Sequence, residues 1–119
     1  MKPVLQWTED WGPGLDTPKE CEISQQILDL FVEFWDGEEI EKKSKSTLNR
    51  YRAGLMSLGA YILELSVSDE GMGKTPNELL LMSINHEGGP LLFQDEENWQ
   101  NEIDMVCRKL HNFYVHKNL

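Results

Sequence analysis

The chain has 119 residues, 39% of them apolar and 9% aromatic, a composition that suits one globular core and excludes a disordered tail. Twenty-one Asp and Glu stand against eleven Lys and Arg, and the resulting net charge of −10 opposes generic binding to phosphate backbones or anionic lipid. No apolar run approaches the roughly 20 residues that span a bilayer. The opening MKPVLQWTED also lacks the apolar stretch of a signal peptide, so a soluble cytoplasmic protein is expected.

Residues 1–16 show no periodicity and read as an irregular N-terminal arm; residues 17–119 read as a single helical domain. The arm carries Trp7 and Trp11 beside a Gly-Pro-Gly. These rings have two readings: they cap the core, which is favoured, or they wait as aromatic anchors for a partner. TPKE at 17–20 is a helix start, with Thr as N-cap, Pro at the first helical position and Glu in reach of the cap N–H. A helix is predicted from Pro18 to Trp35, with Ile23, Ile27, Leu30, Phe31, Phe34 and Trp35 recurring at three and four. Gly37 in WDGEE is expected as its left-handed C-cap.

The next segment, KKSKSTLNRYR at 42–52, holds Lys42, Lys43, Lys45, Arg50 and Arg52 and no acid, so it carries +5 in a chain whose remainder carries −15. A second helix is predicted to start at Ser44 or Ser46 and run to Ser66, with Leu48, Tyr51, Leu55, Leu58, Ile62 and Leu65 on its apolar face. Arg50 and Arg52 are about 200° apart on that helix, so they point to opposite sides of the apolar stripe. Gly54 and Gly59 flank the stripe and each cost about 1 kcal/mol against Ala, which predicts close approach by neighbouring helices. Free amide groups at the helix start, with Lys45, Ser46 and Thr47, can hold one or two phosphates.

TPNE at 75–78 repeats the capping signal and opens a short third helix to Ile84, apolar nearly all round and therefore expected between neighbours. A fourth helix is predicted from Asp95, with Trp99, Ile103, Val106, Leu110 and Phe113 on its buried face. The two cysteines, Cys21 and Cys107, are too few for a disulfide scaffold and are expected as partly buried free thiols. The fold class is all-α, four helices around one core.

Little chemistry emerges from the motifs. GMGKT at 71–75 resembles the end of a phosphate-binding loop, but Ser68 stands where that motif needs glycine, and Asp69 and Glu70 oppose phosphate. Cys107, His111 and His116 have no second pair at ligand spacing, so no metal is expected. No activated nucleophile or oxyanion loop is apparent, and acidic runs such as DGEEIE read as solvated faces. No enzyme activity, cofactor or small-molecule substrate is expected.

The stretch ISQQILDLFVEFWDGEEIEKKSKSTLNRYRAGLMSLGAYILEL resembles the N-terminal core-binding, SAM-like domain of phage integrases and other tyrosine recombinases. In that family a helix ends in a phrase like FVEFW, and Ser-x-x-Thr-hydrophobic-x-x-Tyr opens the next; Ser44, Thr47, Leu48 and Tyr51 match it. TPNELLLMSI and VCRKLHNFYVH look like the third and fourth helices, so the resemblance spans about residues 20–116. It implies a four-helix module that clamps DNA, and it nominates Lys45, Ser46, Thr47 and Arg50 as DNA contacts. Family modules are usually basic and precede a catalytic domain with Arg, His and a Tyr nucleophile; this chain is acidic and is not expected to exchange strands alone.

Three readings follow. The first is a non-enzymatic acidic module that binds another protein through the bundle surface or through Trp7 and Trp11. The second is a DNA-binding accessory using residues 42–52. The third is an acidic mimic of DNA that occupies a basic partner.

Overall fold

The computed structural model describes Trp7, Trp11 and residues 17–92 and 95–117; of Thr17, Lys19, Glu20 and Lys117 it describes the backbone alone. The described residues form four helices: α1 over Thr17–Gly37, α2 over Lys45–Ser66, α3 over Pro76–Ser83 and α4 over Glu97–Lys117. A 3-10 turn over Ile40–Lys42 joins α1 to α2. Among these residues there is no strand, only an isolated bridge between Asn85 and Gly88, and the class is all-α as expected. No described helix is long and apolar enough to cross a membrane. Most of the predicted arm, and the capping side chains Thr17 and Glu20, lie outside the described residues.

The periodic apolar positions of α1 become its buried face. Ile27, Phe31, Phe34 and Trp35 are sealed from solvent, and they meet Leu55, Leu58 and Ile62 of α2 in one core with Val106 and Leu110 of α4. Phe34 packs on Tyr51 with ring centroids 6.0 Å apart, and on Phe113 at 5.7 Å. Ser57 shares a recess with Trp99 near the start of α4, whereas Phe113 near its end reaches Phe34 beside Tyr51, so α4 runs antiparallel to α2. YILELSV, ambiguous by pattern, is the last part of α2.

Both glycines of α2 mark close approaches. A methyl group on Gly54 would lie 2.8 Å from Val106 Cγ2, which explains a residue that costs helix stability at the α2–α4 contact. Gly59 opposes the ring of Trp11, so here the close neighbour is an indole from the N-terminal segment and not a helix. Trp11 also meets Phe31 edge-on at 5.6 Å. Its indole N–H is buried and has no acceptor among the described residues.

Four expectations need correction. Gly37 is not left-handed: it is the last residue of α1, a Cβ there would run into the Phe113 ring, and the left-handed residue is Glu39 at φ 52°. α4 begins at Glu97, two residues later than predicted. α3 is not enclosed, because an eight-residue helix on the outside of the core turns Leu79 and Leu80 inward and leaves Leu81 and Met82 nearly half exposed. Trp99, placed on the buried face by its spacing, is 57% exposed. Ala53 and Ser57, which stand beside it on α2, are too short to cover an indole.

The α3 start matches its sequence signal in full. Thr75 Oγ1 accepts from Glu78 N at 3.2 Å, and a Glu78 carboxylate oxygen accepts from Thr75 N at 3.1 Å. These bonds hold the Glu78 carboxyl below its ordinary range, the backbone Thr75 N–H being the main cause. A pKa lower in the folded state than in the unfolded chain contributes stability at neutral pH that is lost as pH falls through the folded value. The urea midpoint difference between the native chain and Glu78→Ala is therefore expected at pH 7 and should vanish in acid.

Gly54 gives a second expectation. Gly→Ala in an open helix gains about 1 kcal/mol, but overpacking against a stiff β-branched neighbour costs about 1–3 kcal/mol. Gly54→Ala should lower the urea midpoint, and a Val106→Ala partner should relieve part of that loss in a double-mutant cycle. A raised midpoint for Gly54→Ala alone would contradict the close approach.

Candidate functional site

The basic segment is positioned by the turn between α1 and α2. Trp35, fully buried at the end of α1, donates its indole N–H to Glu41 Oε2 at 2.6 Å, and Ile40 is buried beside it. Ser44 then caps α2, its Oγ accepting from Thr47 N at 3.3 Å and its hydroxyl donating to Thr47 Oγ1 at 3.0 Å. The serine thus takes one of the amide groups that a phosphate would use.

The five cations of the segment are not brought together. Lys42 Nζ lies 2.9 Å from Glu39 Oε1, an exposed pair worth about 0–1 kcal/mol. Arg50 turns toward α4, its Nε 3.5 Å from Glu102 Oε1. Arg52 turns the other way and sets its guanidinium 5.9 Å from the centre of the Trp7 ring. Lys43 and Lys45 stay exposed and outside any ion pair among the described residues. Of the four nominated DNA contacts, Lys45 and Ser46 are open to solvent, Thr47 is half-buried and engaged by Ser44, and Arg50 belongs to the α2–α4 contact.

Trp7 and Trp11, the nominated partner anchors, are 6% and 2% exposed. Trp7 stands edge-on to Trp35 at 6.2 Å and Trp11 edge-on to Phe31. In this state both rings are spent on the core and present no face to a partner.

A different surface is built by α2 and α4. Arg50, Ala53, Ser57, Tyr61 and Glu64 recur at three and four and so share one side of α2. Three open recesses lie along this side. One is formed by Arg50 with Asn98, Asn101, Glu102 and Met105. The middle one, about 310 Å³, is lined by Ala53, Ser57, Trp99 and Glu102. The last joins Tyr61 and Glu64 to Ser68, Asp69 and Glu70. Periodicity alone does not find Trp99 and its recess; the available signal is the pair of small residues, Ala53 and Ser57, on the side of α2 away from the main stripe.

The remaining reactive groups are accounted for by packing. Cys21 is exposed, contrary to expectation, while Cys107 is fully buried under Gly89. Burial, with a smaller effect from Asp104, pushes the Cys107 thiol up to about 12, so it stays protonated and unreactive at neutral pH. Asp104 Oδ1 accepts from Gly89 N and Gln100 Nε2, each at 3.1 Å, and so ties the 85–92 loop to α4. Among the described residues no group of three or more His, Cys, Asp or Glu side chains is arranged to hold a metal. Thr75 of the phosphate-loop look-alike serves as the α3 cap.

Comparison with protein-family models, with curated proteins and with solved structures finds no match to this chain.

The contrast between the thiols is directly measurable. Alkylation of the native protein at pH 8 should modify Cys21 rapidly and leave Cys107 untouched, while denatured protein takes two labels. Prompt double labelling of folded protein would show that the 85–92 loop does not seal α4.

Proposed function

We propose that this chain is a non-enzymatic, acidic helical module that binds another protein through the face shared by α2 and α4. The observation that carries the reading is Trp99, 57% exposed beside the recess of Ala53, Ser57 and Glu102. Tryptophan is the residue type most enriched among interface anchors, and a large ring next to a concavity gives a partner side chain both a wall and a floor. Arg50, held by Glu102 at the edge of the recess, adds a polar rim. The absence of catalysis is part of the proposal, supported by the protonated, enclosed Cys107 and by the use of Thr75 as a helix cap.

The test uses the full chain as bait in native extract, beside Trp99→Ala and Ser57→Arg. Ser57 is half-buried and Trp99 is 57% exposed, so circular dichroism and urea midpoints first establish that both variants are folded. The expected result is a defined set of proteins retained by the native chain and lost from both variants. Retention of the same set by all three baits would sink the assignment of this face.

A second reading has its own support in the exposed Lys43, Lys45 and Ser46 at the start of α2. It holds that the four helices adopt the SAM-like arrangement of recombinase core-binding domains and that this end touches DNA. Ser44 as cap and Tyr51 packed on Phe34 fit a fold role for the matched phrase. Duplex binding that weakens steeply with salt and disappears in Lys43→Ala, Lys45→Ala would support it. The acidity of the chain and the Arg50–Glu102 pair favour the protein-binding reading, which predicts no duplex binding at low salt.

A further inference from the structure

We infer that the α2–α4 face receives a basic segment of its partner, with an arginine or lysine laid on the ring of Trp99 and further cations paired along α2. This rests on the protein-binding reading and narrows the partner's chemistry. Four observations point the same way.

Acids are close to Trp99 in the sequence, and one of them shares its recess. Glu96 and Glu102 stand three residues before and after Trp99, and Glu97 opens the same helix. Of these, Glu102 lines the recess together with Trp99 and is shared with Arg50, so a cation over the indole meets a carboxylate on the C-terminal side of the ring. Tryptophan is also the best aromatic face for a cation, and Arg52 already uses Trp7 in this way within the molecule.

The acidity continues along α2. Beyond the Trp99 recess lie Tyr61 and Glu64, followed by Asp69 and Glu70. The distance from Arg50 to Glu64 is about 20 Å at 1.5 Å per residue, which an extended segment of roughly six residues covers.

Among the described residues only one cation, Arg50, lines the three recesses, and it is already held by Glu102. A basic segment meets little repulsion on this track. A nucleic acid or an acidic segment meets carboxylates at both ends.

The recess also fits the stem of the ligand side chain. Ala53 and Ser57 are small, so the methylene chain of an arginine or lysine can lie on α2 while its charged head remains among the acids.

The test is fluorescence anisotropy with the full chain and three labelled peptides of about ten residues, long enough to span the track. One alternates Arg and Leu, one replaces Arg by Gln, and one replaces Arg by Glu. Each is titrated against the native chain, Trp99→Ala, Glu64→Lys and, as a charge control on the exposed side of α1, Asp29→Lys. Circular dichroism and urea midpoints establish that all variants are folded.

The Arg peptide should bind at near-physiological salt and the Gln and Glu peptides should not. Trp99→Ala and Glu64→Lys should each weaken binding about tenfold, the equivalent of one desolvated cation contact. Asp29→Lys should change it by less than about twofold, since Asp29 lines none of the three recesses. Failure of the Arg peptide to bind overturns the inference. Equal weakening by Asp29→Lys and Glu64→Lys also overturns it, because the attraction is then diffuse. Trp99-dependent binding of the Gln peptide overturns the basic partner while leaving the α2–α4 face as the protein-binding surface; loss of that reading itself is decided by the bait experiment.

Discussion

The contact of Gly54 with Val106 sets the distance between α2 and α4, and the surface of the protein follows from it. With a hydrogen in place of a methyl group on α2, the valine of α4 seats directly against the backbone. That approach brings Arg50 within reach of Glu102 and leaves Trp99 standing over Ala53 and Ser57. A wider separation would part the ion pair and open the middle recess into two unrelated helix faces. The glycine weakens the isolated helix, and tertiary packing on both of its sides supplies the compensation.

A second constraint organises the opposite side. Trp35 is fully buried and needs a partner for its indole N–H, which Glu41 provides. The glutamate is fixed by the 3-10 turn that places Ile40 in the core, and Glu39 adopts the left-handed conformation that the turn requires. Trp7 and Trp11 then lie against Trp35, Phe31 and Gly59, so these two rings extend the core of α1 and α2 beyond the helices themselves. The two ends of the aromatic inventory have opposite roles: three tryptophans are sealed in, and Trp99 faces solvent.

The charge pattern of the basic segment has a simple physical origin. Side chains 100° apart per residue cannot form one basic stripe from neighbours two positions apart. Arg50 and Arg52 accordingly serve different contacts, one with α4 and one with the Trp7 ring. Lys42 is answered by Glu39, three residues before it. Two of the five cations are thus answered by acids outside the segment and one lies on an indole, while Lys43 and Lys45 stay exposed, and the acidic character of the remaining surface dominates what a partner meets.

Much of the architecture is legible in the amino-acid sequence. The Thr75 and Glu78 capping box, the Ser44 cap, the helical faces of α1 and α2 and the need for close contact at Gly54 and Gly59 all rest on local rules of period, hydrogen bonding and backbone freedom. Those rules act within a turn or two of helix, so the sequence by itself determined the four helices, their start signals and most of their inward faces. Only the tertiary structure decided how far the cover over each face extends. Trp99 lies within the arc of Ile103, Val106 and Leu110, yet is exposed because small residues stand opposite it; Leu81 and Met82 are exposed because α3 packs along one side only. Gly37 serves Phe113 and not a left-handed cap, because a ring distant in sequence fills the space above it. Each of these outcomes depends on the size of a neighbour that no local pattern names, and that is why the candidate binding face had to come from packing while the fold class did not.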